Sequence, residues 1–258
     1  MWLWVAATTV GFVIVVKVVY TLRSGRCRSE VKLVGKTVIV TGASAGIGKE
    51  TARDLAERGA RVILACRNLE KAQKVADDII NTTGNGQVLV RELDTSDLKS
   101  VRKFAREILA TEKRLDILVN NAGMSGPKTK KISNDGLELT LATNHFGHFL
   151  LTNMLLGVTT NCLHPGVVNT EIILKENTNF LNYIFAFFFW SMGKDEKLGA
   201  QTTIHLAVSE DVASVSGMYY TDCKITKPSN LASDKGLAKK LWEVSEDLVG
   251  LSQEEKNY

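Results

Sequence analysis

Residues 38–48, Val-Ile-Val-Thr-Gly-Ala-Ser-Ala-Gly-Ile-Gly, carry an apolar, β-rich stretch straight into a turn with glycines at 42, 46 and 48. A helix is expected from Lys49 onward. Glycines let the backbone turn tightly and approach a bound group without a Cβ in the way, and a helix N-terminus presents free N–H groups and the positive end of its dipole. Strand, glycine turn and helix in that order specify an α/β chain with a parallel sheet, and the loop is built to hold a pyrophosphate. Its spacing is Gly-x-x-x-Gly-x-Gly. In isolation the same glycines could serve only the packing of helix on strand.

The chain beyond the loop strengthens the phosphate reading. Arg61–Cys66 reads as a second strand, and Arg67 stands at its end, where an acidic residue would hydrogen-bond a ribose 2′-hydroxyl. An arginine there favours a 2′-phosphate, hence NADP(H), although a solvated arginine at a strand end is the plain alternative. Val88–Leu93 leads to Asp94, and Leu115–Val119 leads to Asn120-Asn-Ala-Gly123. Ligands in an open parallel sheet sit at these C-terminal strand ends.

Together, Thr41-Gly-Ala-Ser-Ala-Gly-Ile-Gly48, Asp94, Asn120-Asn-Ala-Gly123, Asn144 and Pro165-Gly166 resemble the short-chain dehydrogenase/reductase family. Ala65-Cys-Arg67, Thr143–Thr152, His164–Val168 and Asp222-Cys-Lys224 are similar to its membrane-bound retinol dehydrogenase branch, over about residues 30 to 250. The resemblance implies a Rossmann-like, doubly wound parallel sheet. It implies hydride exchange between NADP(H) and a retinoid or similar lipophilic alcohol/carbonyl pair. By motif position, Gly42, Ser44, Gly46, Ile47 and Gly48 would hold the phosphates and Arg67 the 2′-phosphate. Asp94, Asn121, Ala122 and Gly123 would line the adenine and ribose side, while Pro165, Gly166 and Thr170 would flank the nicotinamide.

One departure from the family pattern bears on activity. Asn144 belongs to a tetrad whose Ser and Tyr-x-x-x-Lys lie between the Asn helix and the Pro-Gly strand. Here that interval, Asn144 to Pro165, holds no Ser, Tyr or Lys, and a strand and a helix have no residues to build them. The gap falls between Gly157 and Val158. Asn144 alone is left of the catalytic set, and satisfying backbone groups is at least as good a role for it. Tyr220-Thr-Asp-Cys-Lys224 matches the spacing, but within an expected late strand Met218–Ile225 the two side chains would share a face roughly 13 Å apart. That is too far for the lysine to tune the phenol. The missing strand leaves its neighbours unpartnered unless Thr159–His164 moves into the vacant slot, and the chain is expected to be inactive and poorly stable. Two classes of function follow: an oxidoreductase of retinol dehydrogenase type, or a non-catalytic NADP(H)-binding membrane protein or truncated isoform acting by association.

Trp2–Leu22 is apolar apart from threonines, Lys17 and Tyr20, and as a helix it would span about 31 Å, enough to cross a bilayer. The arginines that follow it place the folded domain in the cytosol, with the endoplasmic reticulum as the implied membrane. The domains expected are an anchor over 1–22, a basic linker over 23–34 and a dinucleotide-binding domain over 35–258. Phe180–Trp190, with five bulky aromatics in six residues, is core or a lid over a lipophilic substrate. Asp195–Ser209 and Leu237–Val249 read as helices, with Leu198, Thr202, His205 and Leu206 on one face of the first and Leu237, Leu241, Val244 and Leu248 on one face of the second. Four scattered cysteines and four histidines without partners at ligand spacing suggest no metal, and a net charge of +4 argues against nucleic acid. Membrane lipid and a lipophilic substrate are the partners expected. A homodimer stays open, because the missing helix often forms a dimer face in the resembling family.

Overall fold

The computed structural model describes residues 2–155, 159–170 and 193–256, with the helical backbone alone for residues 2–10. Helix α1 (Trp2–Arg23) leads into β1 (Thr37–Thr41), α2 (Gly46–Glu57), β2 (Arg61–Cys66), α3 (Leu69–Thr83), β3 (Val88–Glu92), α4 (Leu98–Thr111) and β4 (Ile117–Val119). The four strands form one sheet in the order β3-β2-β1-β4, and every pairing is parallel. This is the expected doubly wound α/β sheet. Helix α2 begins at Gly46, three residues earlier than the sequence suggests, because the loop glycines themselves enter its first turn.

Alternation along β1 sorts the core. Val38 and Val40 face a cluster with Leu55, Ala56, Val75, Ile79, Ile204 and Val208, while Ile39 faces the opposite cluster around Phe104, Ile108, Leu150 and Leu151. Strands buried on both faces read as the continuous apolar runs seen in the sequence. Each fully buried Leu or Ile contributes roughly 1.5–3 kcal/mol.

Beyond β4 the chain forms α5 (Leu139–Leu141), a π-helical turn over Ala142–Phe146, α6 (Gly147–Leu155), β5 (Cys162–His164), α7 (Glu196–Val208), β6 (Tyr219–Thr221), β7 (Lys224–Ile225) and α8 (Lys235–Val249). Strand β5 pairs in parallel with β6, and β6 pairs antiparallel with β7, as a second sheet in the order β5-β6-β7. Among the described residues β4 pairs with β1 alone. Among those residues the sheet is therefore divided between β4 and β5, and the segment around Thr159–His164 pairs with β6 instead of β4.

Two local expectations are corrected. Met218–Ile225 is a hairpin, because Asp222 and Cys223 take left-handed conformations (φ 49° and 60°) that turn the chain back. Tyr220 then lies opposite Ile225 and Thr221 opposite Lys224, so Tyr220 and Lys224 occupy opposite faces. On α8, Leu237, Leu241, Val244 and Leu248 are exposed, and the helix instead buries Ser245 and Val249. Its contacts to the body run through His145 Nε2 and Ser245 Oγ (2.9 Å) and an edge-on packing of Trp242 against Phe149. On α7, Leu198 and Thr202 are buried as expected, while His205 and Leu206 are half-buried.

The junction between Gly157 and Val158 and the aromatic run Phe180–Trp190 lie outside the described residues. Among the described residues no helix is long and apolar enough to cross a membrane, and the side chains of residues 2–10 of the expected span Trp2–Leu22 fall outside them.

Candidate functional site

The loops after β1, β2, β3, β4 and β5 carry the expected site residues, each at the C-terminal end of its strand. Gly42 (φ 66°) follows β1, and a Cβ on it would lie 2.7 Å from Ala122 Cα. A Cβ on Gly48 would lie 2.3 Å from Asn121 Nδ2. Neither position admits another residue without moving backbone or the Asn121 amide. Ala45 precedes α2 as its N-cap and offers no side-chain cap, so the first-turn N–H groups stay available to an anion. The half-buried Ile47 packs against the core from within this turn. Ser44 touches the buried Cys66 thiol, whose pKa is pushed up by burial against hydrogen bonds from Ser44 and Ala43.

A polar knot locks the loop after β1 to the loop after β4. Thr41 Oγ1 accepts from the N–H groups of Asn121 and Ala122, both at 2.9 Å, and Asn121 Nδ2 donates to Thr41 O at 2.8 Å. The Thr41 hydroxyl also donates to Val119 O at 3.3 Å, and His148 Nε2 lies 3.0 Å from the same hydroxyl oxygen. His148 Nδ1 faces Asn144 O at 3.4 Å. Burial holds the His148 pKa below the ordinary histidine range.

Asn144 lies in the π-helical turn, a distortion common at functional sites. Its Oδ1 accepts from Met124 N (2.9 Å) and its Nδ2 donates to Met124 O (3.0 Å), which pins the chain leaving Gly123. The structural role considered for this residue is the one observed. Arg67 is exposed, with Nη1 3.9 Å from Asp94 Oδ2, and Asp94 Oδ1 accepts from the N–H and hydroxyl of Ser96. Both therefore border the same edge of the site. Thr170 packs 3.4 Å from the position a Gly46 Cβ would take, so the loop after β5 reaches across to the phosphate loop. Contacts of Thr170 with Gly46 and of Asn121 with Thr41 thus bring the loops after β1, β4 and β5 together, while Arg67 and Asp94 neighbour each other.

Sequence reasoning missed Lys194. It is buried, its Nζ donates to Pro165 O (3.0 Å) and Asp222 Oδ1 (2.7 Å), and it lies against Gly166. Asp222 Oδ1 also accepts from Gly25 N at 3.0 Å. Desolvation is the largest single influence on the Asp222 carboxyl and raises its pKa. The bonds from Lys194 and Gly25 and the charges of Lys194 and Lys224 together outweigh it and hold the pKa below the ordinary range. His148 was missed as a partner of Thr41 for the same reason: neither contact is local in sequence.

The profile of the family described as short chain dehydrogenase matches residues 36–157. Human retinol dehydrogenase 11 is 40% identical, with 89% of this chain and 91% of that protein covered. The chain belongs to the short-chain dehydrogenase family. Human retinol dehydrogenase 12, 39% identical over 89% of this chain and 91% of its own, places it in the retinol dehydrogenase-like branch. Among solved structures, an uncharacterised protein from Mycobacterium paratuberculosis matches with a TM-score of 0.62 at 26% identity, over 89% of this chain and 97% of that one. Levodione reductase matches with a TM-score of 0.60 at 18% identity, over 73% and 96%, which shows the fold. The alignment to retinol dehydrogenase 11 runs over 294 positions while covering 89% of 258 residues, so about 64 positions have no residue in this short-chain dehydrogenase. The family profile stops at residue 157, two residues past α6.

The histidines of this domain set a pH dependence. Burial lowers the pKa of His145, His148 and His205, so the folded chain resists protons that the unfolded chain takes up. Their contribution to stability is present above the unfolded value of about 6.5 and is lost as pH falls from there towards the folded values. The melting temperature is expected to drop between neutral pH and the mid-fives, with a shallower drop in His148→Gln. A melting temperature that stays level or rises across this interval contradicts the assignment.

Proposed function

We propose that this chain is a retinol-dehydrogenase-type oxidoreductase scaffold that binds NADP(H) and a retinoid-like lipophilic alcohol or carbonyl, and is catalytically silent in this form. The observation that carries the reading is the division of the sheet between β4 and β5 among the described residues, beside a glycine loop closely approached by Ala122, Asn121 and Thr170. The surplus positions in the relatives fit an insertion at Gly157–Val158, where the Ser and Tyr-x-x-x-Lys would stand.

When bound, the nicotinamide supplies or accepts a hydride. The protein must then deliver a proton to the developing alkoxide, and a tyrosine with a pKa of about 10 does so near neutral pH only beside a cation. Tyr220 does not serve, being buried and on the opposite hairpin face from Lys224. Asn144 has both ends of its amide committed to Met124. The remaining residues bind and orient. Titration with NADPH and retinal, read as tight cofactor binding without turnover, tests the proposal, and steady reduction of retinal by the chain alone would refute it.

Cofactor choice rests on Arg67, whose guanidinium is exposed beside Asp94 where it could meet a 2′-phosphate. A charge-assisted bond contributes roughly 1.5–3 kcal/mol, so Arg67→Asp is expected to abolish or invert a preference for NADPH over NADH. Fluorescence titration of both cofactors measures it, and equal affinities in the parent chain would sink the assignment.

Membrane attachment through α1, with the domain facing the cytosol, belongs to the same proposal. Its support is an apolar stripe left open to the surroundings: Phe12, Val15, Val19 and Leu22 at i, i+3, i+7 and i+10 are all exposed. The sequon Asn81-Thr-Thr83 lies on α3 with Asn81 exposed and reports on orientation. No glycosidase-sensitive mass shift is expected in cells; a shift that disappears in Asn81→Gln would place the domain in the lumen.

A further inference from the structure

Below the end of α1 lies a cavity of about 740 Å³, walled by the segment after the helix, the start of the β6–β7 turn and the C-terminal end of α7. Leu22, Arg23, Arg26, Arg28, His205 and Lys224 line it. Among the described residues none of the three arginines forms an ion pair, and Arg23, Arg26, Arg28 and Lys224 are all exposed. Three acids also face the cavity. Asp222 is already answered by Lys194, Glu210 accepts from Ser29 Oγ at 3.0 Å, and Asp211 stands beside His205. Burial keeps His205 below the ordinary histidine range, so it adds a polar wall rather than charge near neutral pH. Four cations thus face Glu210 and Asp211, and the balance favours an anion.

The exposed stripe Phe12, Val15, Val19 and Leu22 runs down α1 and ends at this cavity, since Leu22 belongs to both. An apolar track that opens into a basic pocket matches one kind of molecule, an amphiphile with acyl chains and an anionic head. We propose that the cavity is a headgroup site for an anionic membrane phospholipid whose acyl chains lie along the α1 stripe. The site rests on the membrane attachment proposed above. Basic side chains at a membrane surface each favour anionic lipid by roughly five-fold, so several converging on one cavity select it over a zwitterionic lipid.

The full chain, held in non-ionic detergent with equimolar phosphatidylcholine and phosphatidylglycerol, is repurified and its retained lipid is extracted and quantified. Phosphatidylglycerol is expected to exceed phosphatidylcholine by about five-fold or more. Arg23→Gln/Arg26→Gln/Arg28→Gln should bring the two close to parity. Lys128→Gln/Lys130→Gln/Lys131→Gln, at a basic cluster remote in sequence, should leave the preference intact. Equal retention in the parent, or equal loss in both triple variants, overturns the headgroup site while leaving attachment standing. Retention of no lipid of either kind overturns attachment as well. Glycerol 3-phosphate at millimolar concentration is not expected to displace the lipid; displacement would reassign the cavity to a soluble phosphate ester.

Discussion

Inserting a segment that carries Ser and Tyr-x-x-x-Lys between Gly157 and Val158 is expected to raise NADPH-dependent retinal reduction by about 10²–10⁴-fold over the chain as it stands. That range is the usual worth of a positioned general acid, equivalent to roughly 3–5 kcal/mol of barrier. Residues acting as a unit are not additive, so restoring the tyrosine without its lysine should recover little of it. The insertion also supplies a strand for the slot between β4 and β5, where each strand is paired on one side among the described residues. Soluble yield and melting temperature should therefore rise with activity. The comparison needs one assay, retinal consumption by the two chains at equal concentration. Rates within about tenfold of each other would mean that proton delivery comes from elsewhere. Tyr20 and Lys194 would then be the first to substitute, because the Tyr20 hydroxyl and Lys194 Nζ lie 3.2 and 3.0 Å from the position of a Gly166 Cβ.

Asp222→Asn is expected to cost about 3 kcal/mol of stability and to weaken NADPH binding. Lys194 has a side chain 1% exposed, and its carboxylate partner is the charge that makes its burial tolerable. Removing one member of a buried pair commonly costs about 3–5 kcal/mol, and the lower end applies because 45% of the Asp222 side chain reaches solvent. Asparagine tolerates the left-handed backbone at this position, so the loss reports charge and not turn geometry. Lys194→Met, which removes the buried charge itself, should cost only about 1 kcal/mol. The double variant should be more stable than Asp222→Asn alone. Thermal unfolding of the four proteins settles the point; a double variant less stable than either single one would show that the pair is not the source of the effect.

What the sequence disclosed and what it hid divide along the range of the interactions. The glycine loop was legible because strand, glycine turn and helix are one local unit, and the parallel α/β class followed from it. Arg67, Asp94 and Asn121 sit one to two residues past their strands, so their place was fixed by the strands themselves. The start of α2 was placed late because Ala45 is a poor cap and gives no side-chain signal. Met218–Ile225 read as one strand because its turn uses Cys223 at positive φ, where a glycine or asparagine would have announced it. The leucines of α8 reveal a face by their spacing but not what covers that face, and here they are exposed. Lys194 is joined to Asp222 across 28 residues and Thr41 to His148 across 107, and no local pattern predicts such pairs.

The bonds around Asp222 form a chain of short, directional links: Gly25 N to Asp222 Oδ1, Asp222 to Lys194 Nζ, Lys194 to Pro165 O. Gly25 stands two residues beyond the end of α1, and a Cβ there would lie 2.0 Å from Asp222 O, so the backbones are in contact with no slack between them. The helix end and the Pro165–Gly166 turn are consequently tied together through Asp222 and Lys194. With the membrane attachment proposed above, the depth of α1 would set the depth at which the Pro165–Gly166 turn stands.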